Sequence, residues 1–233
     1  MSEHLHDEEQ VEALKRWWDE NGKSTIAAVV LAVCGTFGWQ QYQAWDAGRA
    51  GDASEAYSQM LVQLDIQTPT AQAQAMDLAN RLKDEYERSS YARFAAMTLA
   101  AKAVEQQDFD GAEAELRWAL SHGDSQSEMG QLIQLRLARV LAAQGDNDAA
   151  LAILSAGSEA YPAAFAIAIG DIHLAAERES EALAAYLQAR EMAQPLGSAP
   201  GLLEAKITSL QSRLSAAEAV AADTEADAEG SSS

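Results

Sequence analysis

The chain is poor in three things. It has a single cysteine among 233 residues, only fifteen aromatics (five Trp, six Tyr, four Phe), and 16 basic residues against 36 acidic ones. A lone Cys34 excludes an intrachain disulfide and diagnoses no compartment. Scarce aromatics and few β-branched runs, beside abundant alanine, exclude a sheet-rich core and favour closely packed helices. A formal net charge of −20, with no basic stripe carrying interleaved aromatics, sets the chain against phosphate backbones, so nucleic acid is not an expected partner. The fold class expected from these absences is all-α.

One stretch is long and apolar. Ser24 through Trp45 are 22 consecutive residues without a formal charge, between Lys23 and Asp46. As a helix they would extend roughly 33 Å, against about 30 Å for the hydrocarbon of a bilayer. Trp17 and Trp18 stand before this run, and Trp39, Tyr42 and Trp45 close it. Aromatics that bracket an apolar run suit the two headgroup zones. A cleaved signal does not fit, because 23 residues with seven acids come first; the "LAVC" at Leu31–Cys34 departs from a lipoprotein box at Val33. Lys15, Arg16 and Lys23 precede the run and only Arg49 follows closely, which predicts a single-pass protein with its N-terminus inside and the rest exported. Ala28, Ala32 and Gly35 approximate a small-residue stripe, a candidate contact with another transmembrane helix. The expected organisation is a cytoplasmic tail at 1–23, a transmembrane helix at 24–45, a periplasmic helical-repeat domain at 46–215 and a disordered acidic tail at 216–233. That tail holds five acids and no base.

Residues 49–215 show no strand-like alternation. Apolar positions recur at helical spacing and break at polar turns, "QQDFDG", "QGDND" and "AERES". Three segments align on these turns, "FAAMTLAAKAVEQQDFDGAEAELRWAL", "LIQLRLARVLAAQGDNDAALAIL" and "AFAIAIGDIHLAAERESEALAAYLQAR". Ala112, Ala150 and Ala182 become equivalent, as do Leu116, Leu154 and Tyr186, at separations of 38 and 32 residues. The spacing resembles that of tetratricopeptide repeats. Leu99, Leu137 and Ile169 followed by Ala100, Ala138 and Gly170 fit the first helix of that repeat, while Ala119, Gly157 and Ala189 take the small position late in the second. Pro162 and Pro195 stand near repeat ends, where a proline can stop a helix. "TAQAQAMDLANRLKDEYERSSY" is expected to add a helix before the repeats. "GLLEAKITSLQSRL" should cap them, with Leu202, Leu203, Ile207, Leu210 and Leu214 inward and Lys206 and Arg213 away from that face.

No glycine-rich phosphate loop, G-x-S-x-G elbow or HExxH occurs. His4 and His6 form a metal-like pair without further ligands; His122 and His173 read as ordinary side chains. Neither catalysis nor a cofactor is expected. A repeat stack offers instead a concave face lined by its first helices. The repeat's inward positions fall on Phe94, Met97, Leu135, Arg139, Ile167 and Asp171, a mixed and mostly apolar lining suited to apolar or helical segments. The alternative is that flanking helices cover these residues and nothing binds there.

"LKRWWDENGK" running into the apolar stretch, followed by "YARFAAMTLA", "LRLARVLAAQGDNDAALAIL" and "AKITSL", resembles the YfgM family of ancillary SecYEG translocon subunits over about residues 10–214. The resemblance implies a non-catalytic inner-membrane protein of Gram-negative bacteria. It implies partnership with the translocon and a PpiD-type membrane-anchored chaperone, and help in passing exported chains to periplasmic chaperones. A membrane-tethered scaffold for envelope assembly or division, without translocon contact, is the alternative the residues leave open.

Overall fold

A computed structural model describes the backbone of residues 3–66, 68–193 and 201–230, with side chains except at 3–14, 25, 44, 46 and 218–230. Pro195 and the side chains of His4 and His6 lie outside the described residues. Among the described residues the chain is helical throughout, without a strand. It divides into two compact units, Met1–Glu55 and Ala56–Ser233.

The first helix, α1 (Glu3–Asp65), begins in the first unit and ends in the second. Within the first unit its large apolar side chains face outward: Ile26, Val29, Val30, Leu31, Val33 and Phe37 are all exposed. Trp39, Tyr42 and Trp45 follow one another up one side, with ring centroids 6.3 and 6.2 Å apart, and the Arg49 guanidinium lies 5.0 Å from the Trp45 ring. No single described helix is long and apolar enough to cross a membrane. A pair, Lys15–Ser24 and Ile26–Asp65, meeting at 43°, has the length and composition together. The reason lies in the sequence: Gln40, Gln41 and Gln43 dilute the far end of the apolar run. It therefore reaches spanning length only by drawing on residues before Thr25, where the rod bends. Ser24 Oγ donates to the Asn21 carbonyl at 2.7 Å just before that bend, the kind of local bond that competes with the helix ladder.

The second unit is a stack of antiparallel helices. After the end of α1 come α2 (Pro69–Glu85), α3 (Ser90–Glu105), α4 (Phe109–Ser121), α5 (Glu128–Gln144), α6 (Asn147–Ser155), α7 (Pro162–Ala175), α8 (Glu179–Ala193) and α9 (Gly201–Gly230). The pairs α3–α4, α5–α6 and α7–α8 are hairpins, and α9 packs on α8. Side-chain caps explain the starts. Thr68, Ser89, Asp108, Ser127 and Asp146 each accept a bond from a backbone N–H in the first turn that follows, filling a donor the helix leaves open. Pro162 also opens a helix, α7, rather than ending one, because the first helical position needs no N–H.

The three polar turns inside the hairpins are one structure built three times. Gln107, Gly145 and Glu177 adopt φ of 62°, 90° and 60°. The following N–H groups of Asp108, Asp146 and Arg178 reach back to the carbonyls of Ala103, Leu141 and His173, each at 2.9 Å. That bond satisfies carbonyls the helix end would leave bare. Only the middle turn uses glycine, so the other two hold a side chain in the left-handed region at a cost of about 1 kcal/mol.

The contacts between hairpin helices are made by small residues, as the spacing predicted. Ala112, Ala150 and Ala182 are fully buried, and Leu116, Leu154 and Tyr186 fill the space beside them. Ala100 and Ala138 are buried in the first two hairpins; the third has Gly170, where a Cβ would meet the Tyr186 ring at 2.4 Å. Glycine and tyrosine thus replace the alanine and leucine of the other hairpins as a matched pair. Gly157 lies beyond the end of α6 with φ 76°, not within a second helix, because α6 has only 9 residues against 13 in α4.

The cap also differs from expectation in detail. Leu203, Ile207 and Leu210 are buried against Ala166, Ala182, Tyr186 and Ala189, whereas Leu202 is exposed, since adjacent helical residues point about 100° apart. Lys206 and Arg213 do not turn away: they pair with Asp171 and Glu179 across the seam. Beyond Leu214 the helix continues to Gly230, where the composition predicted no fixed structure. Alanine and glutamate are strong helix formers and carry the backbone on.

Candidate functional site

Of the six residues expected on the concave face, the structure brings two together. Met97 on α3 and Arg139 on α5 line the same cavity, about 320 Å³, between those two helices. Phe109 and Leu116 of α4 lie behind it, Val104 and Val140 beside it, and Arg136 on the same edge as Arg139. Both arginines are exposed, and among the described residues neither forms an ion pair. On the other side of α5, helices α5 and α7 touch directly.

The remaining four residues have other duties. Phe94 is half-buried with Tyr57 and Tyr91, at ring distances of 6.0 and 6.1 Å, and joins the end of α1 to α3. Leu135 is buried in the core that runs from α3 to α7. Ile167 packs against the α7–α8–α9 cluster. Asp171 accepts the Tyr186 hydroxyl at 2.6 Å and pairs with the Lys206 ammonium, which also lies 5.3 Å from the Tyr186 ring. Burial of the Tyr186 ring, with the Asp171 carboxylate beside its hydroxyl, pushes the phenol well above its ordinary pKa and keeps it neutral. The third hairpin's inner positions are therefore occupied from within.

Arg136 was not anticipated. The signal was present, since Arg136 and Arg139 stand one helical turn apart and share a face. Other polar clusters are structural. Lys83 of α2 reaches Glu115 of α4 with both carboxylate oxygens within 2.9 Å and lies 5.2 Å from the Trp118 ring, on which His122 stacks at 4.1 Å. Gln131, buried, accepts from Ser158 Oγ at 2.6 Å and from the Ala160 N–H at 3.0 Å, tying the turn before α7 to α5. His173 accepts a bond from Arg178 Nε through Nδ1. Among the described residues no group of three or more His, Cys, Asp or Glu converges as a metal site would.

Ala28, Ala32 and Gly35 are exposed on α1, and a Cβ on Gly35 would meet nothing within 4 Å.

Comparison with known proteins gives one consistent answer. Residues 15–212 match the model of a tetratricopeptide repeat-like domain. A protein of Haemophilus influenzae named "Ancillary SecYEG translocon subunit" is 36% identical over 84% of this chain and 94% of its own length. Proteins of the same name from Aggregatibacter actinomycetemcomitans (34% identical, 84% of this chain and 94% of theirs) and Neisseria gonorrhoeae (31%, 91% and 100%) are similar over a comparable extent. No solved structure matches the chain.

Proposed function

The chain belongs to the YfgM family of ancillary SecYEG translocon subunits, and on that premise we propose that it is itself a non-catalytic, membrane-anchored subunit of the translocon. The observation that carries this reading is the extent of the similarity. It covers nearly the whole length of the relatives and includes the apolar part of α1 as well as the repeats.

Physical features of the first unit agree. A column of exposed Ile, Val, Leu and Phe has no stable place in water and marks a surface made for lipid or another helix. The aromatic ladder of Trp39, Tyr42 and Trp45 belongs at a headgroup boundary, and Lys15, Arg16 and Lys23 set the short end on the cytoplasmic side. In this reading α1 crosses the inner membrane once, with residues 24–45 in the hydrocarbon and the turn before the bend at its cytoplasmic edge, and the repeats stand in the periplasm. The small side chains of Ala28, Ala32 and Gly35 give a neighbouring spanning helix close access. A PpiD-type anchored chaperone is the second partner, and hand-over of exported chains is the activity that the pair serves.

Purification of the full-length tagged chain in mild detergent tests the reading. SecYEG should come with it, and should be lost when residues 24–45 are replaced by an unrelated spanning helix. Recovery of neither SecYEG nor chaperone would overturn it, and association that tolerates the helix swap would favour a tethered envelope scaffold. Topology is checked separately, with Cys34 replaced by Ser: a cysteine at Ser180 should react with a membrane-impermeant maleimide in the periplasm and one at Ser2 should not.

A further inference from the structure

The cavity between α3 and α5 lies at the lower end of pocket volumes that hold small molecules, roughly 300 Å³ and upward. It has room for one or two side chains and none for a cofactor. Its walls are Met97, Val104 and Val140, its floor Phe109 and Leu116, and nothing polar interrupts them except the two guanidinium groups on the α5 edge.

Those two groups are the only charges on the groove. Acids outnumber bases 36 to 16, and several bases of the second unit use that surplus. Lys83, Lys102, Arg117, Lys206 and Arg213 each hold a carboxylate. Arg136 and Arg139, one turn apart on an exposed edge, hold none among the described residues. A guanidinium fork matches a carboxylate in two bonds, and a pair of them beside an apolar slot is complementary to a segment with an apolar residue next to an acidic one. The net negative charge of the chain disfavours such a segment in general, and the two guanidinium groups offset that repulsion at the groove.

We propose that the α3–α5 groove is the docking site for an acidic amphipathic segment of a partner protein. One aliphatic or aromatic side chain enters between Met97, Val104 and Val140, and a carboxylate a turn away lies on Arg136 and Arg139. This rests on the reading of the repeats as a protein-binding stack and adds the chemistry of what they take.

The test uses the full-length chain in non-ionic detergent and short fluorescent alanine-based helical peptides. Each carries one Leu followed a turn later by two Glu, two Gln or two Lys, and binding is read by anisotropy. The Glu peptide should bind about fivefold more tightly than the Gln peptide, as two part-exposed charge contacts provide. Arg136→Ala/Arg139→Ala should erase that preference, bringing the Glu and Gln peptides to the same affinity, and Val104→Glu should weaken all three. Equal binding of Glu and Gln peptides, a preference that survives the double variant, or no binding at all would overturn the proposal. So would phosphatidylglycerol vesicles that displace the Glu peptide from the parent chain, since the arginines would then belong to a lipid headgroup. Recovery of SecYEG by parent and double variant is followed in parallel. Its loss from the parent speaks against the translocon reading and leaves the peptide result standing.

Discussion

The two units use apolar residues in opposite ways. In the first, Ile26, Val29, Val30, Leu31 and Phe37 are half or more exposed; in the second, alanines at 71, 75, 79, 92, 95, 112, 150, 182 and 189 are almost wholly hidden. Large apolar side chains outward and small ones inward would be an inverted pattern for one protein in water. It is the expected pattern when one unit is solvated by lipid and the other is held by helices packed at close range. Small residues at helix contacts lower the separation between axes, and each gains from neighbours that a larger side chain would push away.

The contrast can be broken most severely in the second unit. Tyr186→Ala removes the largest fully buried side chain and should destabilise the repeat stack by about 4 kcal/mol, seen as a lower denaturation midpoint with the membrane fraction unchanged. Val30→Arg does the converse. About 3 kcal/mol against insertion should shift the chain out of the membrane fraction in fractionated cells, while the helical unfolding of the stack keeps its midpoint. Gly170→Ala drives a methyl into the Tyr186 ring and should cost about 2 kcal/mol, and Gly170→Ala/Tyr186→Leu, which restores the pair found in the other hairpins, should recover most of it. The smallest effects sharpen the turn. Gly145→Ala should destabilise by about 1 kcal/mol, whereas Gln107→Gly should be neutral or stabilising by a few tenths, both measured by chemical denaturation.

Most of the second unit was legible in the sequence. Ala112, Ala150 and Ala182 and their large partners stand in the structure where the period put them, and the polar turns close the hairpins. These features are local, set by a few adjacent residues. What was not legible depends on distant chain. Asp171 read as a free inner position because Lys206, 35 residues on, gave no hint of its destination. Leu202 read as inward because two adjacent leucines cannot be told apart before the helix phase is known. The groove was half-seen: Met97 and Arg139 were in hand, but an opening between α3 and α5 together with contact between α5 and α7 is a matter of how neighbours stack. For the first unit the run of uncharged residues was plain, and the bend near Thr25 was not, since no proline in the sequence marks that position.

The lengths of α4 and α6 have one more consequence. At 1.5 Å per residue the outer rod behind the first inner gap is about 6 Å longer than the one behind the second. A staircase with one deep tread and one shallow tread has two steps that are not interchangeable. Segment length thus distinguishes neighbouring hairpins as firmly as side-chain chemistry does: the shorter α6 leaves Gly157 in a turn where the first hairpin still has Ala119 in helix.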